Sequence, residues 1–435
     1  MSEQNRRDFV KSASVAGAAG LTLSAASRAR AQGANDRLRI GLVGCGGRGN
    51  YLIEQVDRHK AEFNVEIGAL CDVWSVNLAA TETALRQRQR VRPRTYRRYQ
   101  DLLERGGVDA VIIATPDFAH TPILIDAVRA GKDVFCEKPM ATVLAQANEA
   151  VDVVHASDRI VGIGNQRRSD PRHQAAAEWF KTSPLGTITE IETAWHDNGP
   201  RWRRPYDNVR AQDIDWEAFL MYLPREDFRP ERFRRWHFWK DMTSGTPALL
   251  GAHLIDLGCW FMDDPVPVNA MANGGIYVWK DGREHADTID CVLEYPKGYI
   301  LNYSTRLGNG RPTPEAIFYG TKGTFDTQSW TAMGDSGDSA FGIVTPEHLA
   351  APYTIADPKE AGRAETVARG DQPDPRIQND DHMIDFLTAV RNRTQPSATV
   401  DVGYSHTVAG IMCLESWVTG ARQVYDRETR TIRAG

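Results

Sequence analysis

The sequence is poor in cysteine and lysine and carries no excess of positive charge. Six cysteines occur among 435 residues, and no two of them have the Cys-x-x-Cys spacing of a zinc or redox motif. The net charge is −5, so the chain has no general attraction to nucleic acid or to an anionic membrane. We therefore expect no disulfide frame, no metal site and no nucleic-acid partner, and we expect the cysteines to be reduced and buried.

What the sequence does contain is the composition of a soluble globular protein. Hydrophobic residues make up 41% and charged residues 25% of the chain, which excludes a disordered, collagen-like or multi-span membrane protein. At roughly 100–200 residues per domain, this length favours two or three domains. Only 10 of the 52 basic residues are lysine, so most cations are guanidinium groups, which suit carboxylates, phosphates and sugar hydroxyls. A small molecule is the expected partner.

The first 31 residues predict an export signal. Arg6 and Arg7 precede a weakly apolar stretch from Ala13 to Ala26, and Ala29-Arg30-Ala31 follows. This order is typical of a twin-arginine signal cleaved after Ala31, and the apolar stretch is shorter than the ~20 residues of a transmembrane helix. We therefore expect a periplasmic or otherwise exported protein that uses the twin-arginine machinery and is not inserted in the membrane. Because this pathway carries folded proteins, we also expect a tightly held cofactor.

The rest of the chain divides into two regions. From Ile40 to Ile163, short apolar runs alternate with segments of helical periodicity, which predicts a doubly wound parallel sheet over residues 32–160. Residues 161–435 contain longer strand-like segments, which predict an α+β domain with a large, mostly antiparallel open sheet. Within this second region, a Pro-, Gly- and Asp-rich stretch from Thr345 to Asp381 predicts a surface loop.

A glycine-rich motif, Gly44-Cys45-Gly46-Gly47-Arg48-Gly49, follows the first predicted strand and precedes a helix. In this context the glycines permit a tight turn and close approach of the backbone to a pyrophosphate, and the helix N-terminus supplies N–H donors. Asp72 ends the second predicted strand, where a carboxylate binds the adenosine ribose hydroxyls and repels a 2′-phosphate. The motif thus predicts a Rossmann domain that binds NAD in preference to NADP. A glycine-rich turn in another α/β fold is the alternative.

Two further motifs carry a family resemblance. Ala114-Thr115-Pro116-Asp117-Phe118-Ala119-His120 closes the third predicted strand, and Glu137-Lys138-Pro139 follows the fourth. Together with the glycine motif, they resemble the Gfo/Idh/MocA oxidoreductases, which include glucose–fructose oxidoreductase and inositol dehydrogenase. The resemblance continues more weakly through Gly164-Asn165-Gln166-Arg167-Arg168 and Gly251-Ala252-His253-Leu254-Ile255-Asp256.

The resemblance implies a nicotinamide cofactor and sugars, cyclitols or related polyols as substrates. It also implies that residues 161–435 bind substrate and form a homodimer or homotetramer through the open sheet. Lys138 would lie beside the nicotinamide with a lowered pKa, and His253 would bind the substrate hydroxyl or relay its proton. A surface lysine and a satisfied core histidine are the alternatives. The implied cofactor-binding residues are Gly44, Cys45, Gly46, Gly47, Arg48, Gly49, Asp72, Thr115, Pro116, His120, Glu137 and Lys138.

One position departs from the family pattern. Many members carry an aspartate one turn before the histidine, and here that position is Leu249. Either Lys138 and His253 act without this carboxylate, or another acid such as Asp197 replaces it. Asp256 follows His253 by three residues and can share its helix face, so we predict that it contacts substrate, although its match in the family is structural.

A Trp- and Arg-rich stretch predicts a carbohydrate groove. Six of the 11 tryptophans lie between Trp195 and Trp260. Aromatic faces stack on a sugar ring, while Arg, Asp and His side chains hold its hydroxyls. The same composition is also typical of a buried subunit interface, and both interpretations stay open. The predicted substrate-binding residues are Arg167, His196, Trp202, Trp236, His253 and Asp256.

These features predict an exported NAD-dependent oxidoreductase that transfers hydride between a tightly bound nicotinamide and a secondary hydroxyl or ketone of a sugar, glycoside or cyclitol. A second hypothesis is a glycoside hydrolase or lyase that oxidises the sugar transiently at C3. The glycosidases of this type depart from the Glu-Lys-Pro motif, which this chain retains. A third hypothesis is a non-catalytic, dinucleotide-binding relic, which Leu249 would suit. The sequence leaves open the sugar, the carbon oxidised and the reaction direction.

Overall fold

A computed structural model describes residues 36–89, 92–334 and 380–435. The predicted export signal, residues 1–31, lies outside these ranges, as does nearly all of the predicted loop from Thr345 to Asp381. Among the helices in these ranges, none combines the length and the apolar character of a membrane span.

The first domain contains a six-stranded parallel sheet. Its strands are β1 (Leu38–Val43), β2 (Val65–Cys71), β3 (Arg94–Tyr96), β4 (Ala110–Ile113), β5 (Asp133–Cys136) and β6 (Val161–Ile163), in the order β3-β2-β1-β4-β5-β6. Every residue of β4 and β5 is buried, because helices cover both faces of such a sheet and continuous apolar runs occupy its centre. This is the Rossmann strand order, with its ligand crevice at the carboxyl ends of β1 and β4.

The helices that follow these strands are α1 (Gly47–Arg58), α2 (Ser75–Gln89), α3 (Tyr99–Arg105), α4 (Asp117–Arg129) and α5 (Leu144–His155). Helix α1 buries Leu52, Ile53 and Val56 in the cluster that contains Leu42 of β1, at the spacing of one helix face. This packing fixes the N-terminus of α1 directly beyond β1. The glycine motif forms the short connection between them.

The second domain is built on a sheet with nine strands in the described ranges. They are β7 (Ile188–Ala194), β8 (Asn269–Gly275), β9 (Thr288–Tyr295), β10 (Tyr299–Arg306), β11 (Ile317–Gly320), β12 (Gly323–Asp326), β13 (Thr331–Gly334), β14 (Gln423–Asp426) and β15 (Thr431–Ala434). The order is β13-β12-β11-β7-β10-β9-β8-β14-β15, and β7 pairs with β10 in parallel. The other pairs are antiparallel. Buried and exposed residues alternate along β9, as in a sheet with one covered face.

Helices cover one face of this sheet. The helices of the second half of the chain are α6 (Pro171–Phe180), α7 (Trp216–Leu220), α8 (Pro230–Arg234), α9 (Thr246–Leu249), α10 (Gly251–Phe261), α11 (Asp381–Asn392) and α12 (Val400–Thr419). Helices α10 and α12 bury their apolar residues against β7, β8 and β10. The sheet leaves Met271, Val292 and Ile300 exposed.

Two predictions about the fold are confirmed. A parallel, doubly wound sheet is followed by a larger sheet that is mostly antiparallel. The six cysteines are unpaired and buried, as expected for packing thiols. They are Cys45, Cys71, Cys136, Cys259, Cys291 and Cys413.

The domain boundary that we placed at residue 160 needs a correction. Strand β6 (Val161–Ile163) pairs with β5 and is the sixth strand of the first sheet. Helix α11, from the C-terminal part of the chain, also packs on the first domain through Met383, Phe386 and Leu387. The apolar periodicity of a helix shows that it has a buried face but carries no information about which sheet it covers, so the sequence could not assign α11.

Truncation of Phe386 tests whether α11 stabilises the first domain. Phe386 is 1% exposed, and its ring lies 5.5 Å from that of Phe135. We expect Phe386→Ala to lower the free energy of unfolding by about 3–5 kcal/mol, because it removes a buried ring and leaves a cavity. Urea unfolding of the full chain measures the change. Val418→Ala, at a helix position that is 52% exposed, is the control, and equal losses in both variants would contradict the packing role.

Candidate active site

The glycine motif forms a tight turn between β1 and α1. Gly44 has a φ of 97°, and a Cβ on it would lie 2.6 Å from the Ala114 carbonyl oxygen. A Cβ on Gly49 would lie 1.9 Å from the Gly44 carbonyl oxygen, whereas a Cβ on Gly46 or Gly47 would meet nothing within 4 Å. Gly44 and Gly49 therefore allow close packing, and Gly46 and Gly47 present open backbone.

A cavity of about 760 Å³ lies in front of this turn. The N-terminus of α1 opens into it, and the N–H groups of a helix N-terminus form a natural phosphate site. The volume is in the range of a small-molecule or cofactor pocket. The open glycine backbone, the helix N-terminus and the volume together fit a dinucleotide. The predicted cofactor residues that line the cavity are Gly44, Gly46, Gly47, Arg48, Asp72, Thr115 and Pro116.

Asp72 orders the turn as well as lining the cavity. Its carboxylate accepts the Cys45 N–H at 2.7 Å and the Trp74 N–H at 2.7 Å. Burial raises the pKa of Asp72 to about 6, although both N–H groups act in the opposite direction. Each carboxylate oxygen already holds one backbone donor, so a ribose hydroxyl would use the remaining lone pairs.

Two side chains that we predicted to bind the cofactor instead make packing contacts. The Cys45 side chain is buried, with Sγ 3.6 Å from the Cys71 carbonyl oxygen. The ring nitrogens of His120 lie 2.8 Å and 2.9 Å from the carbonyl oxygens of Pro139 and Thr115. His120 lies one turn into α4, so its ring joins the loop after β4 to the loop after β5 rather than facing the crevice.

Arg48 joins the glycine motif to the Glu-Lys-Pro motif. Its Nε lies 2.6 Å from Glu137 Oε1, and Glu137 is 5% exposed. Burial alone would raise the pKa of Glu137, but the charges of Arg48 and Lys138 bring it below its usual value. A Cβ on Gly164 would lie 2.9 Å from the same carboxylate, which shows how closely the backbone covers it. Glu137 therefore positions its neighbours, and the predicted direct contact with cofactor is not the role that this geometry favours.

Lys138, just beyond β5, is a partly buried amine between the two domains. Its Nζ donates a hydrogen bond of 2.5 Å to the Leu249 carbonyl oxygen of α9. Desolvation lowers the pKa of Lys138 to about 8, while Glu137 and Asp117 act in the opposite direction. The amine therefore titrates close to neutrality, as a proton-transfer group requires.

Asp117 is a neighbour of Lys138 that sequence reasoning did not single out. It is 3% exposed and accepts a hydrogen bond of 2.7 Å from the Thr243 hydroxyl. Burial raises the pKa of Asp117 to about 7, with the Lys138 charge opposing the rise. Its place in the motif that ends at His120 was the signal that could have identified it.

His253, on α10, is buried but incompletely hydrogen-bonded. It is 6% exposed, and its Nδ1 has no hydrogen-bond partner in the part of the chain that the structure describes. Its ring lies 5.9 Å from that of Trp195. Burial, followed by the charges of Lys138 and Arg167, keeps the pKa of His253 well below its usual value. The ring is therefore neutral near pH 7, and its Nδ1 is left without a hydrogen bond from the described chain.

Asp197, the acid that we named as a replacement for the family aspartate, has partners of its own. Its carboxylate accepts the Gly199 N–H at 2.7 Å and pairs with Arg201. Leu249 instead contributes its backbone carbonyl oxygen to Lys138. A neutral oxygen thus faces the lysine from the position where the family places a carboxylate side chain.

Carboxylates hold two arginines beside the site. Arg167 donates two hydrogen bonds to Glu315, and its guanidinium lies 5.6 Å from the Trp195 ring centroid. Because the Trp195 ring also lies beside that of His253, Arg167 lies close to His253. Asp256 is 1% exposed and accepts hydrogen bonds of 2.9 Å and 2.7 Å from Arg168. The prediction that Asp256 binds substrate is corrected to a structural role, because its charge is already paired.

The predicted aromatic groove does not form as one surface. Trp202 is 5% exposed within a buried cluster, which leaves its ring no open face for a sugar. Trp236 lines the cofactor cavity. His196 follows the end of β7 and is next to Trp195 in the chain. Burial, followed by the charge of Arg306, lowers the pKa of His196. The substrate-binding predictions for Trp202 and Trp236 are corrected accordingly, and the one for His196 stays a prediction.

Sequence reasoning also missed His406. This residue, on α12, is fully buried, and its Nε2 has no partner in the described ranges. Asn165 Nδ2 lies 3.4 Å from its Nδ1, and the two residues are 241 positions apart. His406 is close enough to His253 to contribute to its lowered pKa. No local pattern in α12 could have indicated this, because only the tertiary fold brings the residues together.

Two family models match the chain. Residues 38–165 match the Gfo/Idh/MocA model described as an oxidoreductase family with an NAD-binding Rossmann fold, and residues 173–326 match the Gfo/Idh/MocA C-terminal domain. These ranges correspond to the two domains described above. The first domain is thus an NAD-binding Rossmann domain.

Curated relatives and solved structures show the same likeness. A glycosyl hydrolase family 109 protein from Shewanella sp. (strain ANA-3) is 33% identical over 179 residues, 37% of this chain and 39% of that protein. An inositol 2-dehydrogenase from Rubrobacter xylanophilus is 30% identical over 168 residues, 38% of this chain and 46% of that protein. The matched stretches thus span less than half of these relatives.

The WlbA dehydrogenase from Bordetella pertussis, solved in complex with NADH and UDP-GlcNAcA, has the same fold. It has a TM-score of 0.63 and 19% identity, over 89% of this chain and 98% of that chain. The family models, the strand order and the motif residues at the cavity agree with one another. The chain belongs to the Gfo/Idh/MocA family of oxidoreductases.

Proposed function

We propose that this protein transfers hydride between a tightly bound NAD and a secondary hydroxyl or ketone of a sugar, glycoside or cyclitol. The observation that carries the proposal is the proximity of a lysine with a lowered pKa to an incompletely bonded histidine. Lys138 contacts the Leu249 carbonyl oxygen, one helical turn before His253, and its charge lowers the pKa of His253. Neither residue of this pair is part of the cavity lining, but Arg48 lines the cavity and pairs with Glu137, which precedes Lys138.

Lys138 has the properties of the proton acceptor for alcohol oxidation. When bound, NAD supplies a hydride acceptor at its nicotinamide ring. The neutral amine accepts the hydroxyl proton at Nζ, and the ammonium then donates hydrogen bonds to the Leu249 carbonyl oxygen and to the substrate oxygen. In the reverse direction the ammonium returns the proton to the ketone oxygen. A pKa near 8 lets both forms exist close to neutral pH.

His253 has the properties of a substrate-orienting residue. Its ring is neutral and can hydrogen-bond a sugar hydroxyl through the nitrogen that has no protein partner. The flat face of Trp195 lies beside it, and Arg167 lies over Trp195. An aromatic face next to polar donors suits the C–H face and the hydroxyls of a pyranose or cyclitol ring.

Export and assembly are parts of the same proposal. The Arg6-Arg7 sequence and the apolar stretch that follows support export to the periplasm through the twin-arginine machinery. Because free NAD is scarce outside the cytoplasm, the protein would retain its cofactor and recycle it within one catalytic cycle or through a second substrate. Met271, Val292 and Ile300 on the open sheet support a homodimer or homotetramer.

A second candidate function is net glycoside hydrolysis. Part of the chain is similar to proteins named as glycosyl hydrolase family 109. The same lysine could serve a transient oxidation of the sugar at C3, loss of the C2 proton with elimination of the glycosidic substituent, addition of water to the resulting C1–C2 double bond, and reduction of the C3 ketone. Retention of Glu137-Lys138-Pro139 supports the first candidate. A non-catalytic relic is the third, and Leu249 is the residue that suits it.

The cofactor proposal predicts that the purified full chain carries bound nucleotide. We expect NAD to be released on denaturation and to be identified by chromatography and mass. Gly46→Asp should abolish this binding, because it places a carboxylate in open space at the N-terminus of α1. The variant should keep its fold, since no atom lies within 4 Å of the new Cβ. A wild-type chain that neither retains nor rebinds NAD would contradict the proposal.

The proton-transfer proposal predicts a pH dependence centred on Lys138. Oxidation should become faster as the pH rises through about 8, because the neutral amine is the acceptor, and ketone reduction should become faster as the pH falls through the same value. Lys138→Met should lower kcat by about 10²–10⁴-fold while NAD stays bound. Nicotinamide absorbance with a panel of sugars and cyclitols measures both effects. Lys181→Met, at an exposed surface position, is the control, and a wild-type rate independent of pH between 6 and 10 would argue against Lys138.

An aryl glycoside separates the two catalytic candidates. A net oxidoreductase should change nicotinamide absorbance without releasing the aryl group. A hydrolase should release the aryl group with no net change in that absorbance. Release in the wild type and its loss in Lys138→Met would favour the second candidate over the first.

A further inference from the structure

A segment of the second domain covers the cofactor cavity, and we name residues 200–242 the roof segment. At one wall of the cavity, Trp74 forms an isolated β-bridge with Ile214. At another wall, the Phe118 N–H donates a hydrogen bond of 3.2 Å to the Met242 carbonyl oxygen. The roof segment is therefore attached to the first domain at two places on the cavity.

Aromatic contacts fix the roof segment between these attachments. The Phe219 ring lies 5.4 Å from that of Phe118, and the Phe233 ring lies 5.7 Å from that of Trp74. All four rings line the cavity. Edge-to-face pairs of this kind add to the apolar area that is buried, so the inner surface of the roof segment has a defined position above the glycine motif.

Arg204, on this inner surface, lacks a counter-ion in the described chain. Two other arginines that line the cavity are engaged: Arg97 donates to the Val73 carbonyl oxygen at 2.6 Å, and Arg98 pairs with Asp215 at 3.1 Å. Burial, followed by the charges of Arg234 and Arg201, lowers the pKa of Arg204 to about 10. A partly buried cation surrounded by cations is unfavourable unless an anion joins it.

The residues around Arg204 indicate its position in the cofactor cavity. On one side, the charge of Arg201 contributes to the lowered pKa of Lys138, so Arg201 lies towards the proton-transfer end. On the other side, the Arg234 guanidinium lies 5.8 Å from the Trp74 ring centroid, next to Asp72 at the ribose end. Both arginines lower the pKa of Arg204, Arg234 more than Arg201, and Arg204 lines the cavity together with Gly46 and Gly47 at the N-terminus of α1.

We propose that Arg204 and Arg234 bind the pyrophosphate of the dinucleotide from the roof segment, opposite the glycine motif. The inference rests on the proposed NAD-dependent function. Two guanidinium groups would match the two charges of a pyrophosphate. The anion would also relieve the repulsion between the two arginines. The dinucleotide would be held between two layers of the protein and would leave slowly.

A 2′-phosphate of NADP offers the same chemistry to these arginines. Asp72 precedes Trp74 by two residues and places a carboxylate at the ribose end of the cavity, which opposes a 2′-phosphate. Arg204 and Arg234 line the same cavity as Gly46 and Gly47, whose open backbone suits a pyrophosphate. Both observations favour the pyrophosphate, and ligands with and without each phosphate distinguish the two sources.

Binding of NADH, NADPH, ADP and adenosine to the nucleotide-free full chain tests the proposal. We expect Arg204→Ala to weaken NADH and ADP by about 10–100-fold, because a charge-assisted contact is lost, and to leave adenosine within twofold. The dissociation rate of NADH should increase in parallel. Arg210→Ala removes the same charge from an exposed position of the roof segment that does not line the cavity, and it should match the wild type.

Thermal unfolding separates a lost contact from a damaged fold. Without nucleotide, Arg204→Ala should have a Tm equal to or above that of the wild type, because an unpaired cation is removed. With saturating NADH, its Tm should rise less than that of the wild type. A lower nucleotide-free Tm together with weaker adenosine binding would assign Arg204 a structural role and overturn the proposal.

The remaining outcomes are also decisive. A loss confined to NADPH would assign the arginines to the 2′-phosphate and overturn the pyrophosphate assignment. Equal NADH affinities of Arg204→Ala and Arg210→Ala would overturn the inference while leaving the proposed function intact. A wild-type chain that binds no dinucleotide would refute the proposed function itself.

Discussion

Charge buried where the two domains meet constrains the rest of this structure. Glu137 pairs with Arg48 of the glycine motif, and Lys138 bonds to the Leu249 carbonyl oxygen of the second domain. A buried charge is tolerated only where local partners compensate it. The glycine turn, the loop after β5 and helix α9 are therefore held in a fixed relation, and the distance from the cofactor cavity to His253 follows from that relation.

The polar side chains near the site fall into two groups. Some have hydrogen-bond or ion-pair partners and stabilise the fold, and others have none and are available to a ligand. The Arg168–Asp256 and Arg167–Glu315 pairs and the ring of His120 are fully engaged. In the described chain, His253 Nδ1 has no hydrogen-bond partner, and Arg204, which lines the cavity, has no carboxylate partner. Native proteins leave few buried polar groups unpaired, so the exceptions indicate where a ligand binds. The roof segment, which belongs to the second domain, places Arg204 at the cofactor cavity.

Much of the fold could be predicted because it depends on local pattern. The alternation of apolar runs and helical segments predicted a parallel sheet, and the longer strand-like segments predicted a larger, mostly antiparallel one; both are present. Strand β3 was missed because only three residues at a sheet edge form it, and short edge strands need little apolar character. The short helices of the roof segment were missed for a related reason: their residues pack by contacts to Trp74 and Phe118 that are distant in sequence.

The sequence by itself determined the cofactor turn and the lysine that follows β5, because the required conformations and spacings are encoded within a few consecutive residues. The cavity lining at Gly46, Gly47 and Asp72 followed from that local code. Only the tertiary structure decided that Asp256 is neutralised by Arg168, that Trp236 belongs to the cofactor side, and that His406 lies near His253. These outcomes depend on which elements pack together, and packing partners far apart in the chain leave no mark on either local sequence.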